Sequence, residues 1–245
     1  MGNFQTVIYE KKENIAYVTL NRPQRLNSYN IQMRDELYQI LGAIKDDDEV
    51  MVVILKGAGD KAFCAGADLT EFLTAPSPVV ARRVRRERDI WGLWLNLPQP
   101  VIAALQGYVL GSGMEMALCC DLRIAAEDAQ FGLPEVGLGI IPGGGGTQTL
   151  ARVVGRGRAL EMLLTGRWID ASEAYDIGLV NRVVPKAELL VAAEEIALKI
   201  KTHRPIAVRN VKQAVIRGLD LPLKEGLELE RRLADFTSAG KWLQS

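Results

Sequence analysis

The chain has 245 residues, of which 48% are hydrophobic and 24% charged, close to an average soluble globular protein and far from disordered or fibrous sequences. A chain of this length removes roughly 70–75% of its unfolded surface from water on folding, so a core needs neither disulfides nor a structural metal. Thirty basic residues balance thirty acidic ones, which argues against nucleic acid or another polyanion as the main partner.

Val7–Glu10 and Ile15–Leu20 read as two strands turning at Lys11–Asn14. Beyond a loop over 21–30 containing Pro23, the residues Met33, Leu37, Ile40, Leu41 and Ile44 recur at helical spacing, which predicts an amphipathic helix over 32–44. Val50–Leu55 is apolar throughout and suits a strand covered on both faces. Gly57–Asp60 reads as a turn and Ala62–Asp68 as a loop of small residues. A helix over 78–96, a strand Val101–Leu105, a glycine-initiated apolar helix over 111–120 and a strand Leu122–Ala125 follow. Phe131–Gly146 is a Gly/Pro-rich loop and Thr147–Val154 a helix. After a strand-like run at Val180–Val184, the pattern becomes helical over 187–201, 205–216 and 221–239. Apolar strands alternating with helices indicate an α/β fold. A boundary near Pro185 divides residues 1–185, the α/β core, from a helical region over 186–245.

Residues 90–114 carry no charge, but Asn96, Pro98, Gln99, Pro100 and Gln106 interrupt them, so a membrane span is not expected. Strand-like alternation over residues 1–20 leaves no room for a signal peptide. The three cysteines, Cys64, Cys119 and Cys120, read as reduced, buried thiols of a cytoplasmic protein. The single histidine, His203, excludes a multi-histidine metal site, and its neighbours Thr202, Arg204 and Pro205 place it at a surface junction between helices.

Among groups that could carry chemistry, Glu115 stands alone in the apolar helix Gly113-Met114-Glu115-Met116-Ala117-Leu118-Cys119-Cys120. A buried unpaired carboxylate protonates, finds a partner such as Arg123, or has a catalytic task. Glu135 lies in the loop Leu133-Pro134-Glu135-Val136-Gly137. Gly111-Ser112-Gly113 opens the apolar helix, whose first-turn amides have no intrahelical partner and can hold a developing oxyanion. Ala65-Gly66-Ala67-Asp68 lets a substrate approach the backbone closely. A dinucleotide fingerprint fails because Met116 occupies its third glycine position, and Gly143–Gly146 matches no phosphate loop. The basic run Arg82–Arg88 opens a polyanion reading, but Val80, Val84, Trp91 and Leu95 recur at helical spacing and leave those charges on a solvated face.

Taken in order, Ala62-Phe63-Cys64-Ala65-Gly66-Ala67-Asp68-Leu69, Gly107–Glu115, Phe131–Glu135 and Ile141–Thr147 resemble the enoyl-CoA hydratase/isomerase (crotonase) family, as do Asn21-Arg22-Pro23 with Asn27, Leu164–Gly166 and Gly178–Val180. The resemblance covers essentially the whole chain. It implies a crotonase-like spiral of ββα units with a C-terminal helical trimerisation region, assembled as a homotrimer or a dimer of trimers. It further implies that the amides of Ala67 and Ser112 form an oxyanion hole and that Glu115 and Glu135 are the catalytic carboxylates. Coenzyme A would contact Ala65, Gly66, Ala67, Asp68, Leu69, Thr70 and Gly111, with Arg25 and Leu26 near its adenine. No separate cofactor is implied, since coenzyme A is part of the substrate.

Two features depart from the family pattern. Ser112 stands where glycine is common, and members usually continue beyond the position of Ser245 through a further acidic turn and helix. The implied reaction is hydration of a trans-2-enoyl-CoA, because the family's isomerases generally use one carboxylate at the Glu135 position. Isomerisation, hydration of a cyclic or dienoyl thioester, thioester hydrolysis, and a non-catalytic RNA- or protein-binding role are the alternatives. Halide displacement in the family resembles chemistry needing a histidine near the Ala65–Asp68 bend, far from His203 in sequence.

Overall fold

The computed structural model describes residues 4–71 and 87–242; Arg82, Arg83, Arg85 and Arg86, with residues 78–86 of the helix expected over 78–96, lie outside the described residues. Strands β1 (Val7–Lys12) and β2 (Ile15–Leu20) pair antiparallel. Their turn is tighter than expected, formed by Glu13 and Asn14 alone at φ 47° and 69°, because a two-residue turn in this region matches the strands' twist.

Helix α1 (Ile31–Asp46) starts where the Asn30 side chain accepts a hydrogen bond from the Met33 amide at 2.9 Å. Its buried face carries the five apolar residues the periodicity predicts, and also Glu36. That carboxylate accepts from the amides of Gln5, Thr6 and Val7 and from the Thr6 hydroxyl at 2.7–3.0 Å, tying the start of the chain to α1. Burial alone would raise its pKa, but these bonds hold it below the ordinary value.

The spiral then follows: β3 (Val52–Gly57), β4 (Ala62–Cys64), α2 (Ile90–Leu95), β5 (Val101–Leu105), β6 (Tyr108–Leu110), α3 (Ser112–Cys119), β7 (Leu122–Ala126) and β8 (Gln130–Gly132). It continues through α4 (Gly146–Thr165), β9 (Ile169–Asp170), α5 (Ala171–Asp176) and β10 (Arg182–Val184). One sheet has the order β1-β2-β3-β5-β7-β10 and is parallel from β2 onward. A second has the order β4-β6-β8-β9. Successive turns place one strand in each sheet, which is the implied ββα spiral.

The second sheet corrects the expectation of plain loops at Ala62–Asp68 and Phe131–Gly146. Its strands β4, β6 and β8 are three residues each, too short to show alternation, and pairings such as Val109 with Phe131 define them. Helix α4 also runs past Val154, as two helical stretches meeting at Gly155, whose φ of 79° and ψ of 159° are not helical.

Alternation along the central strands feeds two cores. Val53, Leu55, Ala103 and Leu105 join Leu37 and Leu41 of α1 in one apolar cluster. Tyr17, Ile54, Ile102 and Ile124 face Leu189, Ala193 and Ala197 of α6 (Leu189–Lys201) in the other. Residues immediately after Pro185 thus cover the sheet. Helices α7 (Pro205–Gly218) and α8 (Leu223–Trp242) pack together, and the buried Asn210 amide donates to the Thr237 hydroxyl at 2.7 Å. His203 is exposed between α6 and α7. All three cysteines are free and buried, and burial pushes the Cys64 thiol up to about 11, so it stays protonated and inert.

Candidate active site

The site begins where β6 passes into α3. Gly111 adopts φ 50° and ψ −124°, a conformation open essentially to glycine alone. Its amide donates to the Gly132 carbonyl of β8 at 3.0 Å. A Cβ at this position would stand 3.1 Å from Glu135 Oε1 and 3.4 Å from Gly66 Cα, so α3's entry, the 65–68 bend and Glu135 meet at one point. Ser112, the first residue of α3, has no preceding turn to accept its N–H.

The bend is stitched to residues 22–29. Tyr29 donates its amide to the Gly66 carbonyl at 2.9 Å, and Asp68 donates to the Tyr29 carbonyl at 2.8 Å. In such a parallel bridge the intervening residue turns its own N–H to the other side, which leaves the Ala67 amide facing away from Tyr29. Arg22 bonds Asp68 Oδ2 at 2.8 Å and the Ser28 carbonyl at 2.6 Å. The Thr70 hydroxyl and the Arg22 guanidinium together hold the Asp68 carboxyl below its ordinary range. The Ala65 amide donates to the Leu26 carbonyl at 3.0 Å, bringing Leu26 to the bend. Arg25, Leu69 and Thr70 are exposed at its rim. Beside Leu26 lies a cavity of about 310 Å³ lined by Pro23, Gln24, Asn27, Ala58 and Lys61, among others.

Glu115 sits one turn into α3 and is 2% exposed. Its Oε1 accepts from the amides of Gly144 at 2.7 Å and Gly146 at 3.0 Å. Arg123 is not its partner. That guanidinium donates instead to the carbonyls of Leu179 and Cys120, both at 2.6 Å, because the end of α3 leaves the Cys120 carbonyl unpaired beside it. Burial raises the Glu115 pKa although the two glycine amides oppose the rise. Glu135 lies in the one-turn helix Pro134–Leu138. Its Oε2 is buried without a hydrogen-bond partner among the described residues. Burial raises its pKa, its own amide opposes the rise, and the charge of Glu115 adds to it. Each carboxyl is therefore poorly solvated, and the charge of Glu115 acts on Glu135.

The contacts of four further residues were not visible in the sequence. The glycines 144 and 146 hold Glu115 through main-chain amides; the Ile141–Thr147 motif marked the run without showing which side chain its amides meet. Arg22 braces the bend from 46 residues away. Trp91 reaches the point where a Gly144 Cβ would stand, its Cε2 at 2.5 Å.

The arrangement offers two amides turned from their local partners, one amide-held carboxylate and one carboxyl with an oxygen unpartnered among the described residues. Such a set can stabilise negative charge on a carbonyl oxygen while moving protons on both sides of an adjacent carbon pair. Among the described residues, no cluster of acidic, histidine or cysteine side chains could hold a metal ion, and no helix is long and apolar enough to cross a membrane.

Comparison with known proteins points the same way. The sequence profile of the enoyl-CoA hydratase/isomerase family matches residues 10–242. The chain is 45% identical to the short-chain-enoyl-CoA hydratase of Clostridium acetobutylicum over 91% of its own length and 86% of the relative's. It is 42% identical to the crotonyl-CoA hydratase of Syntrophomonas wolfei, over 93% and 87% respectively. The crystal structure of an enoyl-CoA hydratase from Bacillus anthracis superposes with a TM-score of 0.90 at 45% identity, covering 94% of this chain and 90% of that one. By sequence and by fold, this chain belongs to the enoyl-CoA hydratase/isomerase family.

Proposed function

We propose that this chain adds water reversibly across the 2,3 double bond of a trans-2-enoyl-CoA thioester. The observation that carries the reading is the pair of buried carboxylates, Glu115 and Glu135, whose environments differ. Two backbone donors at Glu115 Oε1 oppose the rise in pKa that burial causes and leave Oε2 to take a proton from water. Glu135 has an unpartnered buried oxygen beside another carboxylate, which favours the protonated form. Water attacks Cβ as Glu115 accepts its proton, and charge moves to the thioester oxygen, held by the Ala67 and Ser112 amides. One such donor is worth about 2.7–4 kcal/mol. Glu135 then protonates Cα, and the proton that Glu115 took from water passes to Glu135, by way of solvent, to reset the pair. Coenzyme A would lie along Ala65–Thr70, with its adenine near Arg25 and Leu26. Relatives named for short-chain-enoyl-CoA and crotonyl-CoA hydration support the substrate class.

Isomerisation at Glu135 alone would leave the amide-held Glu115 without a task. The test is crotonyl-CoA with purified protein, followed by loss of the conjugated thioester absorbance and appearance of the 3-hydroxyacyl product. Glu115→Gln lowers kcat by about 10²–10⁴-fold on this assignment. Full hydratase activity in that variant would sink it.

We also infer assembly as a homotrimer or dimer of trimers through the C-terminal helices. Val211 and Val215 of α7, Leu219 just after it, and Leu223, Leu227 and Phe236 of α8 are exposed, a concentration of apolar surface suited to an interface. The three unpaired cysteines support a reducing, cytoplasmic setting.

A further inference from the structure

Helix α2 is fixed in the core by Ile90 and Trp94, at most 1% exposed, and its start is capped by Asp89, which accepts from the Gly92 amide at 2.9 Å. Trp91 lies between these anchors and is only partly buried. Its Cε2 and Cζ2 come within 2.5 and 2.7 Å of the point a Gly144 Cβ would occupy, and Glu115 Oε2 lies 2.9 Å from the same point. Tyr29 packs against the ring at a centroid distance of 5.8 Å, and Tyr29 is the bridge partner of Ala67. The indole therefore stands near Glu115 Oε2 and against Tyr29, whose backbone holds the bend that carries the Ala67 amide. The hydration steps leave it without a role.

We propose that Trp91 is the specificity-determining residue that confines the acyl group to short chains, an inference resting on the hydratase reading above. A thioester carbonyl at the Ala67 and Ser112 amides, with Cβ at Glu115, brings Cγ against the indole. Gly144 and Tyr29 both pack against the ring, so a long chain must displace an indole already braced by its neighbours. The glycine at 144 serves both neighbours, since any side chain there would strike the indole and the carboxylate together.

The experiment compares kcat/KM for four-, six-, eight- and ten-carbon trans-2-enoyl-CoA in the parent protein, Trp91→Ala and Trp91→Leu, with folding checked by circular dichroism. The parent favours the four-carbon substrate over the ten-carbon one by about 10-fold or more, the scale on which a hydrophobic wall discriminates methylenes. Trp91→Ala shifts that ratio toward the long chain by about 10-fold or more, chiefly through KM, with the 3-hydroxyacyl thioester still the product. If Trp91→Ala does not fold, Trp91→Leu reads the same ratio. A parental ratio retained in the folded variants, or a parent that takes both chain lengths equally, overturns the proposal while the hydratase reading stands. A parent that hydrates no enoyl-CoA of any length overturns the hydratase reading, and the proposal falls with it.

Discussion

Replacing Gly113 by alanine drives a methyl group into the strand beneath α3. Its Cβ would stand 2.2 Å from the Cys64 carbonyl oxygen and 2.8 Å from Cys64 Cβ, against the 3.4 Å at which ordinary contact begins. Neither neighbour is a flexible chain end, so α3 and β4 must separate by about 1 Å in a close-packed interior. Overpacking of this kind costs about 1–3 kcal/mol, or a fall of roughly 2–12 °C in Tm for a chain of this size. The functional effect is larger. β4 leads directly into the Ala65–Asp68 bend, and Gly113 follows Ser112, so the displacement opens the gap between the two proposed carbonyl-holding amides. A misplacement of about 1 Å costs about 100-fold in rate. Calorimetry and steady-state crotonyl-CoA hydration together measure both effects, with kcat falling and KM little changed. Gly42→Ala on α1 is the control: nothing lies within 4 Å of its Cβ position, and relief of chain entropy stabilises it by about 0.4–1 kcal/mol. A folded Gly113→Ala protein with parental kcat would refute the idea that the spacing of β4 and α3 sets the site.

Glu115→Gln and Glu135→Gln should each melt higher than the parent at neutral pH while losing activity. Both parental carboxyls have folded pKa values raised above the ordinary 4.5, so their favourable contribution is present below that value and lost as pH rises; the Tm difference should vanish in acid, and a pH series of melts checks it. Glu36 behaves oppositely. Its folded pKa is lowered, so its contribution is present above the ordinary 4.5 and lost as pH falls; Glu36→Gln costs about 1–3 kcal/mol at pH 7 by denaturant titration, and less in acid. Leu219→Asp combined with Leu223→Asp changes only exposed positions and should reduce the mass seen by light scattering while the melt of the subunit survives.

Elements whose burial repeats along the chain were legible. The five-residue apolar face of α1 and the uninterrupted run of β5 declared themselves through period and composition. Glu115 stood out because α3 is otherwise apolar. The second sheet stayed hidden because Ala62–Cys64, Tyr108–Leu110 and Gln130–Gly132 become strands only through one another. The partner of Glu115 was equally invisible. Arg123 was the natural choice by charge and proximity, whereas main-chain amides 29 and 31 residues away carry no side-chain signature.

Helix α3 supplies both the Ser112 amide and the Glu115 carboxylate, three residues apart on one rigid turn. Any small slide of this helix carries the proposed base and the carbonyl clamp together, preserving their mutual offset. Glu135 hangs from the separate Pro134–Leu138 turn, where nearby side chains at Val136 and Leu138 are open to solvent. Drift among relatives can thus re-aim the proposed proton donor, and with it the carbon that receives the proton, without recalibrating the remainder of the machine.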